Sequence, residues 1–314
     1  MSPEQVPHGR TARRLEWQHL PPEVRTYVEG RLGSPVVQAE SQGTGFTPGF
    51  ASRVRGEGGE RLFVKAASKK AQGPFAEAYA EEARKLATLP DGLPATRILW
   101  AHEDELWVVL GFEDVEGRRP ARPWTGPELK ACLTALEQVA AVEPPPGLAP
   151  VHVELPSLVT GWQSVWRTTP DLPHLSEAAS LAAQLPSIPG GALVHCDARD
   201  DNFLLTPEGA LLCDWNWPVT GPAWLDAVVL MASVHGDGGD AELALSTSSL
   251  TAGVPSEHID CWLAAYAGFM LEAKDRPVPP TSPYLRVHQA WYADACWSWL
   301  SRRRGWAADL VTGP

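Results

Sequence analysis

The stretch at residues 192–226 constrains the fold more than any other part of this 314-residue chain, because short apolar runs alternate there with reactive side chains. An apolar run ends just before Asp197, and the polar loop after it closes at Asn202. Two strands joined by a turn are then predicted over residues 203–213, and the second ends on Asp214. Such a hairpin holds three oxygen-bearing side chains near one point, as a hard divalent cation bridging phosphate oxygens requires.

The order of these residues resembles the catalytic and metal loops of the protein-kinase-like superfamily, and within it the aminoglycoside phosphotransferase family. The resemblance is carried by His195-x-Asp197-x4-Asn202, by Asp214 twelve positions later, and by Gly221-Pro222-x3-Asp226. It implies that Asp197 is catalytic, orienting an acceptor hydroxyl and taking its proton, and that Asn202 and Asp214 hold Mg²⁺. Ordinary turn-forming Asx residues would explain neither the spacing nor the flanking strands.

Three neighbouring residues have roles that the resemblance suggests. Arg199 either lies near the transferred phosphate, where protein kinases carry a basic residue, or is an exposed loop arginine. His195 either packs and holds the loop, as the family's histidine does, or acts as a general base. Asp226 would accept hydrogen bonds from the catalytic loop and is interpreted as structural. Cys196 stands where the family typically has glycine.

Two other chemistries fit the His-Cys-Asp run poorly. Consecutive residues that leave a strand point to opposite faces, so His195 would not activate Cys196 as a nucleophile. A zinc site needs four ligands at characteristic spacings, and the sequence has no Cys-x2-Cys or His-x3-His.

A glycine-rich loop at residues 41–50 lies between two predicted strands. Such a loop either forms an ordinary hairpin connection or brings backbone amides close to phosphates. It has neither the Gly-Lys-Ser/Thr of a Walker A loop nor a strict G-x-G-x-x-G pattern. The order of the elements around it favours nucleotide binding by Gly43, Thr44, Gly45 and Thr47.

Lys65 lies inside an otherwise apolar strand predicted at residues 61–67, and a buried lysine needs a partner. The helix predicted at residues 75–89 offers Glu82 on its core-facing stripe, with Glu81 as the alternative one position earlier. Lys65 and Glu82 resemble the ion pair that positions nucleotide phosphates in kinases.

Two further strands, predicted at residues 96–101 and 106–112, run into a segment that resembles the hinge between kinase lobes. Phe112 would line the adenine pocket, and the Glu113 carbonyl and the Val115 amide would contact the base. A strand that ends in an ordinary turn looks the same in sequence, so only the order of elements supports this assignment.

The strands are followed by a mainly helical pattern from residue 125 onward, which fits the α+β, bilobal protein-kinase-like fold that the resemblance implies. An N-lobe of antiparallel sheet plus one main helix would span residues 1–115, and a helical C-lobe residues 116–314. A short amphipathic helix is predicted at residues 21–32. The C-lobe helices are predicted at residues 126–142, 161–168, 175–185, 226–234, 256–274 and 283–304.

Composition limits the remaining possibilities. A net charge of −12 argues against nucleic-acid or anionic-membrane partners, because neutralising phosphates takes a basic face. No run of 18 apolar residues and no signal-peptide core is present, so a cytoplasmic location is expected. The five scattered cysteines are expected to be reduced core residues, and the C-terminal tryptophans to be core residues instead of a sugar-stacking platform.

The predicted reaction is transfer of the γ-phosphate of ATP or GTP, with Mg²⁺, to a hydroxyl of a small molecule. No Ala-Pro-Glu segment follows Asp214, and only six residues separate it from Gly221, too few for the activation loop of a protein kinase. The alternatives are a housekeeping kinase for choline, homoserine or a sugar, and a nucleotide-binding pseudokinase without catalytic activity.

A cationic acceptor, such as an aminoglycoside or another basic antibiotic, is predicted from the carboxylates near the place where the family forms its acceptor pocket. Clustered carboxylates repel one another unless a cation or solvent relieves them, although loop carboxylates are usually just solvated. The carboxylates are those of Asp200, Asp201, Asp237, Asp240, Glu242 and Asp260.

Overall fold

The computed structural model describes residues 11–43 and 45–306, and its first part is a five-stranded antiparallel sheet in the order β1-β2-β3-β5-β4. The strands are β1 (Val36–Ser41), β2 (Phe50–Gly56), β3 (Arg61–Ser68), β4 (Ile98–Glu103) and β5 (Trp107–Glu113). Helix α1 (Pro22–Leu32) precedes the sheet after a 3-10 turn at Trp17–His19, and α2 (Gly73–Leu86) connects β3 to β4.

The two faces of the sheet bury different cores, because alternate residues of a strand point to opposite sides. Val64 and Ala66 of β3 belong to the core that packs under α1. Ala67 belongs to the core shared with Tyr79 of α2. Lys65 lies on this second face, so its side chain points toward α2.

The rest of the chain is mainly helical and surrounds one large core. Two small antiparallel pairs lie between its helices: β6 (Ala192–Val194) with β9 (Val219–Gly221), and β7 (Phe203–Thr206) with β8 (Gly209–Leu212). The helices are α3 (Gly126–Ala140), α4 (Val151–Glu154), α5 (Ser157–Thr168), α6 (Leu175–Ala182), α7 (Leu225–Gly236), α8 (Ala241–Thr247), α9 (Ser256–Lys274) and α10 (Leu285–Arg304).

The predicted α+β, bilobal arrangement is confirmed, while several boundaries differ by a few residues. Helix α2, for example, ends at Leu86 and not at residue 89. Helix α8 was not predicted from the sequence. Asp240 caps this helix by accepting a hydrogen bond from Leu243 N at 3.0 Å. Strand β9 was not predicted either, because a strand of three residues is too short to show the alternation of apolar and polar side chains. The lobe boundary near residue 115 stays a prediction.

The side chains expected in the core are largely found there. All five cysteines are free, and Cys132, Cys261 and Cys296 are buried while the other two are partly buried. The tryptophans of α10, at positions 291, 297 and 299, are buried in the large core. Among the described residues, no helix has the length and apolar character needed to cross a membrane.

Candidate active site

A cleft of about 250 Å³ lies between the sheet and the helical part, and it gathers most of the predicted site residues. Apolar side chains line part of it: Ala51, Phe63 and Phe112 come from the sheet, and Leu204 and Cys213 from the β7–β8 hairpin and its end. Apolar groups from two separate elements can enclose a flat aromatic base. The polar part of the cleft carries Lys65, Glu82, Asn202 and Asp214.

Lys65 is held in the polar part by two carboxylates. Its Nζ lies 2.7 and 2.9 Å from the two carboxylate oxygens of Glu82, and it also hydrogen-bonds to Asp214 Oδ1. Glu81 is 43% exposed in its side chain and pairs with Arg84 at 2.8 Å. The ion pair therefore forms with Glu82 and not with Glu81, while its role in binding phosphates stays a prediction.

Burial and charge oppose each other in this group. Burial would lower the pKa of Lys65, but the charges of Asp214 and Glu82 outweigh it and raise that pKa above its usual value. Burial raises the pKa of Glu82, against the opposing effect of Lys65. Burial would also raise the pKa of Asp214, but Lys65 outweighs it and lowers that pKa. Lys65 thus stays protonated, as a phosphate-binding lysine must.

Asp197 lies in the loop that links β6 to β7, and its carboxylate is held from two sides. Asn202 Nδ2 donates to Asp197 Oδ2 at 2.9 Å, and Arg199 Nη1 donates to Asp197 Oδ1 at 2.9 Å. Burial raises the pKa of Asp197 to about 7, although Arg199 offsets part of this effect. A carboxylate with such a pKa can exchange a proton near neutral pH.

Arg199 is not an exposed loop arginine, so that alternative is wrong. Its side chain is only 13% exposed, and it pairs with both Asp197 and Asp201 at 2.9 Å. The guanidinium also lies 5.5 Å from the centre of the Phe46 ring in the glycine-rich loop. Neither Arg199 nor Asp197 lines the cleft itself, but each contacts a residue that does, Asp201 and Asn202 respectively.

His195 and Asp226 hold the catalytic loop in place. His195 is buried, its Nε2 donates to the Cys213 carbonyl at 2.9 Å, and its Nδ1 accepts from Asp197 N at 3.3 Å. Burial lowers the pKa of His195 to about 4, so the ring is neutral. Asp226 accepts from the backbone N–H of His195 at 2.8 Å and of Cys196 at 3.0 Å. These contacts agree with the structural roles predicted for both residues.

Two non-glycine residues of the site have left-handed backbone conformations. The φ angles are +63° at Cys196 and +60° at Asp214. The positive φ angle at Cys196 explains why glycine suits this position in the family, since only glycine takes this conformation without steric cost. Strained backbone of this kind is concentrated at functional sites, where surrounding contacts hold it in place.

The side chains of Asn202 and Asp214 fit a divalent cation that is shared with phosphates. The amide nitrogen of Asn202 is bonded to Asp197, so Oδ1 is the remaining acceptor of that side chain. Two oxygen ligands suit Mg²⁺, which takes its other ligands from water and phosphate. Within residues 11–43 and 45–306, no group of three or more histidines, cysteines and carboxylates could hold a metal ion. The Mg²⁺ assignment stays a prediction.

The glycine-rich loop borders the cleft, and its Gln42 and Thr47 line the cleft. The carbonyls of Gly43 and Gly45 accept hydrogen bonds from Thr11, from its backbone N at 2.8 Å and from its Oγ1 at 2.5 Å. Gly45 has a φ angle of +77°, which favours glycine. Thr44 lies outside the described residues. Phosphate binding by the amides of this loop stays a prediction.

The hinge-like segment follows β5, and Phe112, Glu113 and Val115 all line the cleft. Asp114 between them pairs with Arg53 at 2.6 Å and with Arg61 on β3 at 2.7 Å. These ion pairs fix the conformation of the segment. Contacts from the Glu113 carbonyl and the Val115 amide to a base stay predictions.

The six carboxylates proposed to attract a cationic acceptor already have partners within the chain. Three arginines pair with five of them and so compensate part of their charge, and the sixth, Asp240, is the helix cap described above. The pairs are Arg122 with Asp200 at 2.8 Å and Asp237 at 2.5 Å, Arg199 with Asp201 at 2.9 Å, and Arg303 with Glu242 at 2.8 Å and Asp260 at 2.5 Å.

Sequence reasoning missed other residues that line the cleft, among them Arg14, Tyr79 and Arg119. Tyr79 could have been found, since it lies three positions before Glu82 on the same face of α2. Its ring centre is 5.7 Å from Lys65 Nζ. Arg14 could not have been identified from the sequence, because an arginine outside any motif is indistinguishable there from a solvated one.

The chain is similar to known proteins both in a family model and in solved structures. The model of the phosphotransferase enzyme family (APH) matches residues 45–250. No curated protein sequence matches the chain significantly.

Solved structures share the fold over nearly their whole length. A thermostable mutant of the aminoglycoside phosphotransferase APH(4)-Ia, in a ternary complex with AMP-PNP and hygromycin B, is 14% identical, and the match covers 90% of this chain and 99% of that one with a TM-score of 0.60. Choline kinase LicA from Streptococcus pneumoniae is 13% identical, and the match covers 85% of this chain and 98% of that one with a TM-score of 0.54. A macrolide 2'-phosphotransferase type I is 15% identical, and the match covers 86% of this chain and 96% of that one with a TM-score of 0.53.

Likeness at these identities establishes the fold alone, and the family is established by the family model. That match covers more than half of the chain and includes the glycine loop from Gly45, the Lys65–Glu82 ion pair, the catalytic loop and Asp214. The chain therefore belongs to the phosphotransferase enzyme family.

Proposed function

We propose that the enzyme moves the γ-phosphate of ATP, or of GTP, to a hydroxyl of a small molecule that binds beside Asp197. The observation that carries the proposal is the convergence of Lys65, Asn202 and Asp214 on one cleft that also has apolar walls. The apolar part suits a purine base and the polar part suits its phosphates. Residues 1–115 would form the nucleotide-binding lobe, and residues 116–314 the lobe that carries the catalytic loop and the acceptor site.

The nucleotide would be bound from both lobes. Lys65, oriented by Glu82, would contact the α- and β-phosphate oxygens, and the amides of the glycine-rich loop would approach the phosphates. The backbone at Glu113 and Val115 would contact the base, with Phe112 against its face. Mg²⁺ held by Asn202 and Asp214 would neutralise charge on the phosphate oxygens.

Asp197 would do the proton chemistry. It would accept a hydrogen bond from the acceptor hydroxyl, point that oxygen at the γ-phosphorus, and take the proton as the new phosphorus–oxygen bond forms. The bond between the γ-phosphorus and the bridging oxygen of the β-phosphate breaks, and the nucleoside diphosphate leaves. Arg199, which already contacts Asp197, would stabilise negative charge on the group in transfer.

The chemical class of the acceptor is the finer part of the proposal. The net charge of −12 favours attraction of a cation, which keeps aminoglycosides and other basic antibiotics as one class. The local argument from carboxylates is weaker than the sequence suggested, because arginines pair with five of the six. Choline, homoserine, sugars and macrolides are the other classes to compare.

The test is a phosphorylation assay on a panel of these acceptors with ATP or GTP and Mg²⁺, read by mass spectrometry. One acceptor is expected to gain the mass of a phosphoryl group while the nucleotide is converted to its diphosphate. Phosphorylation of only neutral or anionic alcohols would contradict the cationic class and leave the kinase activity standing. Nucleotide binding without consumption, on every acceptor, would favour the pseudokinase.

A further inference from the structure

Residues 11–14, which we name the N-terminal strap, lie between the glycine-rich loop and the segment before α10, and their Arg14 lines the cleft. Thr11 bonds to the carbonyls of Gly43 and Gly45 in the glycine-rich loop, at 2.8 and 2.5 Å. Arg13 N donates to the carbonyl of Thr281, in the segment before α10, at 2.8 Å. The strap thus joins the glycine-rich loop of one lobe to the other lobe.

The two arginines of the strap point in different directions. Arg13 is exposed, whereas Arg14 is partly buried and lines the cleft together with Lys65 and Asp214. A Cβ added at Gly45 would lie 3.4 Å from Arg14 Nη2, so the guanidinium lies directly against the glycine-rich loop. Arg14 is therefore positioned between that loop and the polar part of the cleft.

Electrostatic effects agree with this position. Burial would raise the pKa of Asp214, but Lys65 and, after it, Arg14 lower it. Burial raises the pKa of Tyr79, and among the charges that oppose this effect Arg14 is the largest, ahead of Lys65. The charge of Arg14 therefore acts on the same groups as that of Lys65.

Lys65 is shared between two carboxylates, so part of its positive charge is already compensated before a nucleotide binds. A guanidinium presents paired N–H donors whose spacing matches two phosphate oxygens. We propose that Arg14 is a phosphate-binding residue that contacts the β- or γ-phosphate of the nucleotide beneath Gly45. This inference rests on the proposed function and extends it by a residue that no sequence motif marks.

The test compares Arg14→Ala and Arg14→Gln with Arg13→Ala, which removes the same charge from the adjacent, exposed position. Binding of ATP, ADP and AMP to each purified protein is measured with Mg²⁺ present. Loss of Arg14 is expected to weaken ATP binding by about tenfold to a hundredfold, the effect of losing a hydrogen bond to a charged group, while AMP binding changes by less than about twofold. Arg13→Ala should bind all three as the wild type does.

The melting temperature without nucleotide checks that each variant is folded, and Arg14→Gln, which keeps the side-chain length, serves if Arg14→Ala does not fold. Unchanged ATP affinity in the Arg14 variants would overturn the proposal. An equal loss for AMP and ATP would overturn it too, since it would mean that Arg14 only shapes the cleft. A wild type that binds no nucleotide would overturn the proposed function as well. Failure of the Arg14 proposal alone is thus distinguished from failure of the proposed function.

Discussion

Asp197 accepts hydrogen bonds from a guanidinium and from an amide, and its pKa is nevertheless raised to about 7. The reason is that burial outweighs the charge of Arg199. A base with a pKa near the working pH combines a large ionised fraction with enough basicity to take a proton. At the scale of single residues, Asp197 thus has the position and the proton affinity that the proposed reaction needs.

Replacing Asp197 by Asn is expected to lower turnover by about 10²–10⁴-fold, because the acceptor loses its general base. The dissociation constant for the nucleotide should change by less than about twofold, since Asp197 contacts the acceptor in the proposed complex. Glu208→Gln, which removes an exposed carboxylate from the β7–β8 turn, is the control and should be fully active. Turnover near that of the wild type in Asp197→Asn would contradict the assignment.

The raised pKa of Asp197 also predicts how activity depends on pH. Only the ionised carboxylate can take the proton, so kcat/KM for the acceptor at saturating nucleotide should fall about tenfold per pH unit below about 7 and level off above it. The pH dependence of nucleotide binding, measured separately, removes any contribution from Glu82. A profile that stays flat down to pH 5.5, about 1.5 units below this pKa, would show that Asp197 is ionised throughout and is not the titrating base.

At the scale of elements, the site depends on how β3 and α2 pack. Strand alternation directs Lys65 to the α2 face, and the helical period brings Glu82 to the face that meets it. The adjacent Glu81 falls on the outer side of the same helix and pairs there with Arg84. One position along the helix therefore separates a buried ion pair from a surface one.

Replacing Glu82 by Gln should raise KM for the nucleotide and lower the stability of the fold by about 1–3 kcal/mol, because a buried hydrogen bond to a charged group is weakened. Asp214 would then be the remaining carboxylate that pairs with Lys65. Glu81→Gln is the matched control and should change neither quantity measurably, as expected for an exposed pair. Thermal denaturation and steady-state kinetics measure the two effects. Equal effects of Glu82→Gln and Glu81→Gln would contradict the prediction that only the buried Glu82 supports Lys65.

At the scale of the whole molecule, the lobes are joined on the hinge side and at the mouth of the cleft. On the hinge side, just before β4, Thr96 N donates to the Leu212 carbonyl at 3.1 Å, and Leu212 N donates to the Pro94 carbonyl at 2.7 Å. At the mouth, Ser282 Oγ bonds to the Phe46 carbonyl, and the Phe46 and His288 rings lie 4.7 Å apart. A ligand that bridges both lobes should therefore stabilise the molecule as a unit.

Nucleotide and Mg²⁺ together are expected to raise the melting temperature of the wild type by more than nucleotide alone, because the cation links Asp214 to the phosphates. Asp214→Ala should lose this Mg²⁺-dependent increment. Glu208→Gln, at the turn of the same hairpin, should keep it. If Asp214→Ala retains the full increment, Asp214 does not bind the cation.

The sequence alone determined most elements around the site, because alternation, helical period and the spacing from His195 to Asp214 are local properties of the chain. The fold class followed from the family resemblance that this spacing carries. The pairing of Lys65 with Glu82 could also be predicted, since both follow from the periods of single elements. Only the tertiary structure decided which charges neutralise one another. Arg122 meets Asp237 and Arg303 meets Asp260 across 115 and 43 positions of sequence, and composition gives the number of charges without their distances. For the same reason Arg14, far from Asp214 in sequence, entered the site only when the folded chain brought the strap to the cleft.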